Sequence, residues 1–195
     1  MILEQFALIA VVVLIVSSAT LIISQNWRWS LIALAVQYVG VFWLVALIWP
    51  VGLAAVKLVV GWMAGAVLGA ARPDAYLLDD PFASFSGRVY RFVAAALILL
   101  LMVSVAPMLQ WWFPADLVVL QGSLVLIGMG LLQLGMTTQP LRVILGLLTT
   151  FAGFEILYAA IESSVLVAGL LGLINLSLAL VGAYLLTTLG TESKP

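Results

Sequence analysis

The chain is 195 residues long, 66% hydrophobic and 8% charged, with 7 Lys+Arg, 8 Asp+Glu and a formal net charge of -1. A soluble domain carries about 25% charged residues, and a chain this apolar would expose large hydrophobic patches to water, so a membrane protein with lipid as its first partner is predicted. The sequence holds no Cys and no His, which excludes disulfides, thiolate or imidazole metal sites, haem, iron–sulfur clusters and His-based catalysis, and no basic run offers a footprint for nucleic acid.

A membrane helix needs about 20 mainly apolar residues. Runs of that kind, bounded by charge, Pro, Trp or polar clusters, predict an all-α polytopic protein of seven transmembrane helices. The first covers 6–23 and stops at Ser24-Gln25-Asn26-Trp27-Arg28. It lacks a basic leader and a convincing cleavage site, so it is read as retained and not as a signal peptide. The second, 30–48, stops at Trp49-Pro50, where proline suits a turn or the first position of the next helix. The third covers 51–71 and ends at Arg72-Pro73-Asp74, followed by the one sizeable polar loop, 72–88. The fourth covers 89–109, the fifth 117–136, the sixth 141–161 and the seventh 165–189.

Trp49-Pro50 could instead mark a kink in one very long helix, and charge decides between the two. With seven spans, Arg28, Arg72, Arg88, Arg91, Arg142 and Lys194 all fall on one side. The positive-inside rule then puts the N-terminus outside and the C-terminus in the cytoplasm, as a multi-pass protein of the cell inner (plasma) membrane. Trp27, Trp29, Trp49, Trp111 and Trp112 fall at predicted ends, as an aromatic belt requires.

Two charges, Lys57 and Glu155, fall inside spans. Near a helix centre each costs roughly 2.5–3.5 kcal/mol, so such a residue faces protein or water and is a functional candidate by default. Lys57 begins the series Lys57, Gly61, Gly65, Gly69, spaced by four on one helix face, a small-residue stripe suited to close helix packing. Inward packing is one reading; a lysine snorkelling to the headgroups is the other. Glu155 lies thirteen residues beyond Arg142, about 20 Å along the helix and at nearly the depth of Lys57. Its face reads Ala152, Glu155, Ala159, Glu162, which sets Glu162 above it near the outer mouth. A sequestered carboxyl that alternates between neutral and charged forms is a proton relay; a static Lys57–Glu155 ion pair is the alternative.

Gln37, Gln121, Gln133 and Asn175 are expected to hydrogen-bond between helices, and a position facing Glu155 is one alternative for Asn175. Thr149 and Thr150 are expected to bond to their own helix backbone. Asp74, Asp79 and Asp80 match no calcium loop and read as turn or cap chemistry. Phe82, Phe85, Tyr90 and Phe92, with Arg88 and Arg91, read as an interfacial segment or a surface for a cytoplasmic partner.

The segment Leu141-Arg142-Val143-Ile144-Leu145-Gly146, then Ala152-Gly153-Phe154-Glu155-Ile156-Leu157 and the closing Ser177-Leu178-Ala179-Leu180, resembles the three-helix K subunit of respiratory complex I and its antiporter relatives. The preceding region, with Ala55-Val56-Lys57-Leu58-Val59-Val60 and its intramembrane lysine, resembles the extension found in the E component of formate-hydrogenlyase-type membrane hydrogenases. The resemblance implies one transmembrane domain, 1–195, made of a four-helix part, 1–109, and a K-like three-helix part, 110–195. It implies a buried acid of a proton path at Glu155 and larger antiporter-like membrane subunits as partners. Two departures stand out: Glu155 comes about one turn later after Leu141-Arg142 than in the hydrogenase component, and the last span holds Asn175 in place of a second buried acid.

The leading expectation is a non-catalytic membrane-arm subunit of a complex I-like or hydrogenase-like assembly, contributing to proton or sodium translocation or its coupling. Glu155 serves as relay, Lys57 as its electrostatic modulator, Glu162 as outer access, and Asn175 as an accessory polar group. No cofactor is expected in this chain. The rivals are a purely structural subunit of another respiratory or photosynthetic complex and a small free-standing transporter, the latter disfavoured because no inverted repeat with paired Gly/Pro-broken helices is visible.

Overall fold

Local chemistry sets where each helix starts and stops. A computed structural model of the protein describes residues 7–71 and 85–192, with side chains described between 7–71 and 87–188. Within them the secondary structure is helix and turn throughout. The helices are α1 (Ala7–Ile23), α2 (Trp27–Ala46), α3 (Val51–Ala70), α4 (Phe85–Leu109), α5 (Leu117–Gly135), α6 (Pro140–Ala159) and α7 (Val165–Glu192). The loop acids Asp74, Asp79 and Asp80 lie outside the described residues.

α2 begins one turn before the expected start at residue 30. The reason is Asn26, whose extended backbone and side-chain oxygen, accepting from Arg28 N at 3.0 Å, cap the helix at once. Trp49-Pro50 is a true break: α2 ends at Ala46, and Pro50, at φ -53° and ψ 139°, leads into α3. Pro140 stands at the first position of α6, where its missing N–H costs nothing. α6 closes at Ala159, short of the expected 161, and this shortening matters for the site described below.

α2 to α7 are each long and apolar enough to cross a bilayer, whereas the described part of α1, at 17 residues, is shorter. The architecture is that of a multi-pass helical membrane protein. α1, α2, α3, α7, α6 and α5 pack in a closed ring, with α2 and α6 also touching across its middle. The ring thus divides into two four-helix groups that share α2 and α6: α2, α3, α6 and α7 in one, α1, α2, α5 and α6 in the other. α4 leans on α5 and α1 from outside, burying little more than Gly87, Arg91 and Ala95 at intervals of four, plus Ala106.

The ends are fixed by a hydrogen bond. Arg142 donates to Ser24 O at 2.8 Å, so the α1–α2 turn and the start of α6 share one end. Because consecutive helices alternate in direction, Arg28, Arg88, Arg91 and Arg142 gather at that end, while Asp116 and Glu162 lie at the other.

Glycines set the close approaches. A Cβ on Gly61 would overlap the Tyr38 ring, and Gly65 and Gly69 face Leu34 and Leu31, so the α3 glycine stripe seats α2. On α6, a Cβ on Gly153 would come 2.6 Å from Ser123 O and 2.8 Å from Ile127 N, both backbone atoms of α5. Gly153→Ala is therefore expected to force α5 and α6 apart and to cost about 1–3 kcal/mol. Gly135→Ala meets nothing within 4 Å. Thermal unfolding of both variants in detergent checks this: Gly153→Ala lowers the midpoint and Gly135→Ala leaves it unchanged.

Candidate functional site

Each helix of the α2–α3–α6–α7 group presents a stripe of small and aliphatic residues inward, and each stripe carries polar chemistry. On α3 the buried stripe is Ala54, Lys57, Gly61, Ala64 and Leu68; on α6 it includes Leu148, Ala152, Glu155 and Ala159. The alanines one turn either side of Glu155 and the glycine one turn from Lys57 leave room for the two long side chains to meet. They do so at 2.7 Å, Lys57 Nζ to Glu155 Oε1, with both residues 0% exposed. Lys57 Nζ also reaches Ala168 O of α7 at 3.5 Å. The inward reading of Lys57 holds and the snorkelling reading does not.

α2 and α7 complete the cluster. Tyr38 OH donates to Asn175 Oδ1 at 3.3 Å, and both residues are fully buried. This bond orients the amide, leaving its NH2 group as the remaining donor. Asn175 and Tyr38 thus join Lys57 and Glu155 as fully buried polar side chains of this four-helix group. Glu155 Oε2 and Asn175 Nδ2 are each buried without a hydrogen-bond partner. Buried polar atoms are almost always paired, so two such atoms in one cluster mark it as a place where a small rearrangement gains a bond.

The surroundings are asymmetric. Toward the arginine end, Gln37 Nε2 donates to Thr149 Oγ1 at 3.3 Å across the α2–α6 seam. This corrects the expectation for Thr149, while Thr150 does bond back to Gly146 O at 2.9 Å. Toward the opposite end, the next level is apolar. Trp49 is 3% exposed and its indole N–H donates to Ala159 O at 3.0 Å, with Ala54 and Ala159 buried beside the pair. Trp49 is thus an internal staple between α3's start and α6's end, and not a member of an interfacial belt; Trp29, Trp111 and Trp112 are exposed at helix ends.

Of the expected site residues, Lys57, Glu155 and Asn175 come together and Glu162 does not. α6 has ended by Ala159, so the supposed stripe does not continue; Glu162 is exposed in the turn, where its Oε1 accepts from Ser164 N at 3.1 Å ahead of α7. Gln133 bonds between helices as expected, donating to Arg142 O at 2.9 Å, and Gln121 is half-buried on α5. Tyr38 was missed. Its signal was present: a phenol beside Gln37 in the middle of an apolar run, at the depth where Gly61 makes room for a bulky partner. No group of three acidic, His or Cys side chains that could hold a metal converges among the described residues.

The other four-helix group shows what is special here. Its centre is Leu14 and Leu44 against Gly40 and Gly122, and its hydroxyls are turned back on their own helices, Ser18 to Leu14 O at 2.6 Å and Ser123 to Leu120 O at 2.9 Å. The bonds between helices in that group, Gln133 to Arg142 O and Arg142 to Ser24 O, lie at the arginine end and not at its centre.

Comparison with known protein families, with curated proteins and with solved structures gives no match.

A sealed ammonium is not acylated. The chain has lysines only at 57 and 194. Treatment of native membranes with a small amine-acetylating reagent, followed by peptide mass spectrometry, is expected to leave Lys57 unmodified on a time scale that modifies it fully after denaturation in strong detergent. Equal rates in the two states would mean that the side chain reaches water.

Proposed function

We propose that this chain is a membrane-arm subunit of a complex I-like or membrane-bound hydrogenase-like assembly, contributing to translocation of protons or sodium ions or to its coupling. It spans the cell inner (plasma) membrane seven times, with the N-terminus outside and the C-terminus in the cytoplasm. Redox chemistry belongs to other subunits, and the partners are larger antiporter-like membrane proteins.

The observation that carries this reading is the Lys57–Glu155 contact at 2.7 Å, fully buried at the meeting of four helices. An ionisable pair is expensive to hold inside a bilayer protein, and apolar side chains of similar volume would tie the helices together at least as well. In the same group Tyr38 and Asn175 bond to each other, and Gln37 bonds to Thr149 across the α2–α6 seam further toward the arginine end. A carboxyl so held can exchange its lysine partner for the Asn175 amide, and that exchange is the step through which a neighbouring subunit's motion or charge acts. The gathering of Arg28, Arg88, Arg91 and Arg142 at one end supports the orientation.

A second reading, a purely structural subunit, is favoured by one specific feature: beyond Glu155 the buried Trp49 ties the end of α6 by donating to Ala159 O at 3.0 Å, with Ala54 buried as well. Affinity purification in mild detergent with mass spectrometry, joined to pumping measurements on membrane vesicles, separates the two. Under the proposed function the chain co-purifies with antiporter-like and redox subunits, and Glu155→Gln assembles normally but sharply lowers ion pumping. Unchanged pumping by an assembled Glu155→Gln complex would leave the structural role.

A further inference from the structure

A groove of about 340 Å³ runs between α1 and α2 on the outer surface of the helix group that lacks the ion pair. Val12 and Val16 of α1 and Trp29, Ile32 and Val36 of α2 form its exposed walls, and Ala33 is buried along it. Two hydroxyls line it, yet neither offers a donor to a guest: Ser17 bonds to Leu14 O at 3.2 Å and Thr20 to Val16 O at 2.7 Å. An apolar chain therefore loses no hydrogen bond by entering, and a polar one gains none. From Thr20 to Val12 the groove is about 12 Å long, close to the depth of one leaflet of a hydrocarbon core about 30 Å thick.

The end of the groove is charged. Arg28, Ile32 and Val36 follow one another at intervals of four, so Arg28 stands on the same face of α2 as the groove wall, one turn beyond it. Its guanidinium carbon lies 5.4 Å from the centroid of the Trp27 ring, which holds the exposed cation at the helix start. The acids whose side chains are described, Asp116, Glu155 and Glu162, are remote from it: one is paired inside and two lie at the opposite end. Arg88 and Arg142 share the end with Arg28.

We infer that the α1–α2 groove binds one acyl chain of an anionic phospholipid whose phosphate rests on Arg28. A zwitterionic lipid fits the groove as well, but its own headgroup ammonium offsets the phosphate charge that Arg28 attracts. The site is independent of the ion pair and of the proposed function, and requires only that the chain spans a bilayer.

Native mass spectrometry of the full chain, titrated with phosphatidylglycerol and phosphatidylcholine in mild detergent, tests it. One phosphatidylglycerol is expected to stay bound at detergent concentrations that strip phosphatidylcholine. Arg28→Gln should lower that preference about fivefold, the effect of one cation beside an anionic headgroup. Val13→Phe, which fills the groove and leaves Arg28 in place, should abolish retention of both lipids; Val16→Phe on the exposed wall does the same should the first variant not fold. Equal retention of the two lipids by the unmodified chain, a preference that survives Arg28→Gln, or a dimer of this chain that Val13→Phe breaks would each overturn the assignment.

Discussion

Two opposite charges with no access to water hold the α2–α3–α6–α7 group in register. Neither Lys57 nor Glu155 is tolerable alone inside a bilayer protein, so each fixes where the other must be, and thereby fixes the height of α3 against α6. The rest of the group is arranged around that demand. Small residues flank the pair so that the side chains can meet, Ala168 O of α7 takes a further contact from the ammonium, and Tyr38 and Asn175, hydrogen-bonded to each other, are buried in the same group. The neighbouring group, built on the same α2 and α6, needs no such device and packs leucine into glycine.

The level of the pair also divides the molecule along its length. On the arginine side the seam between α2 and α6 stays polar as far as Gln37 and Thr149; on the other side Trp49 closes it with a hydrogen bond to the last turn of α6. An arrangement open to polar contact on one side and plugged on the other is what a gated relay in its closed state requires, and equally what a rigid tie requires. The two alternatives differ in whether Glu155 changes partner, and Glu155 Oε2 and Asn175 Nδ2, both buried in this group, are the polar atoms such a change would use.

Much of this was legible from the chain alone because membrane burial makes charge placement meaningful. The depth of Lys57 from one helix start and of Glu155 from the other could be counted in helical rise, whereas the glycine spacing left an inward and a snorkelling lysine both open until the buried contact with Glu155 decided for the first. The break at Trp49-Pro50 followed from charge sidedness. What escaped the sequence were choices between equivalent partners. Trp49 satisfied the pattern of an interfacial tryptophan, and only the course of α6 reveals a carbonyl within its reach. Glu162 satisfied the periodicity of α6, but periodicity does not say where a helix ends. Thr149 had its own backbone available and bonded instead to Gln37, because the α2–α6 contact across the ring could not be read from neighbours in sequence.

The central claim, that Lys57 and Glu155 are energetically one unit, is tested most directly by a double-mutant cycle on unfolding in mixed detergent micelles. Lys57→Met and Glu155→Leu made singly each leave an uncompensated buried charge and are predicted to cost about 3–5 kcal/mol, whereas the double variant costs far less than their sum. Strictly additive losses would contradict the account, since they would mean that the two side chains do not answer each other inside the protein.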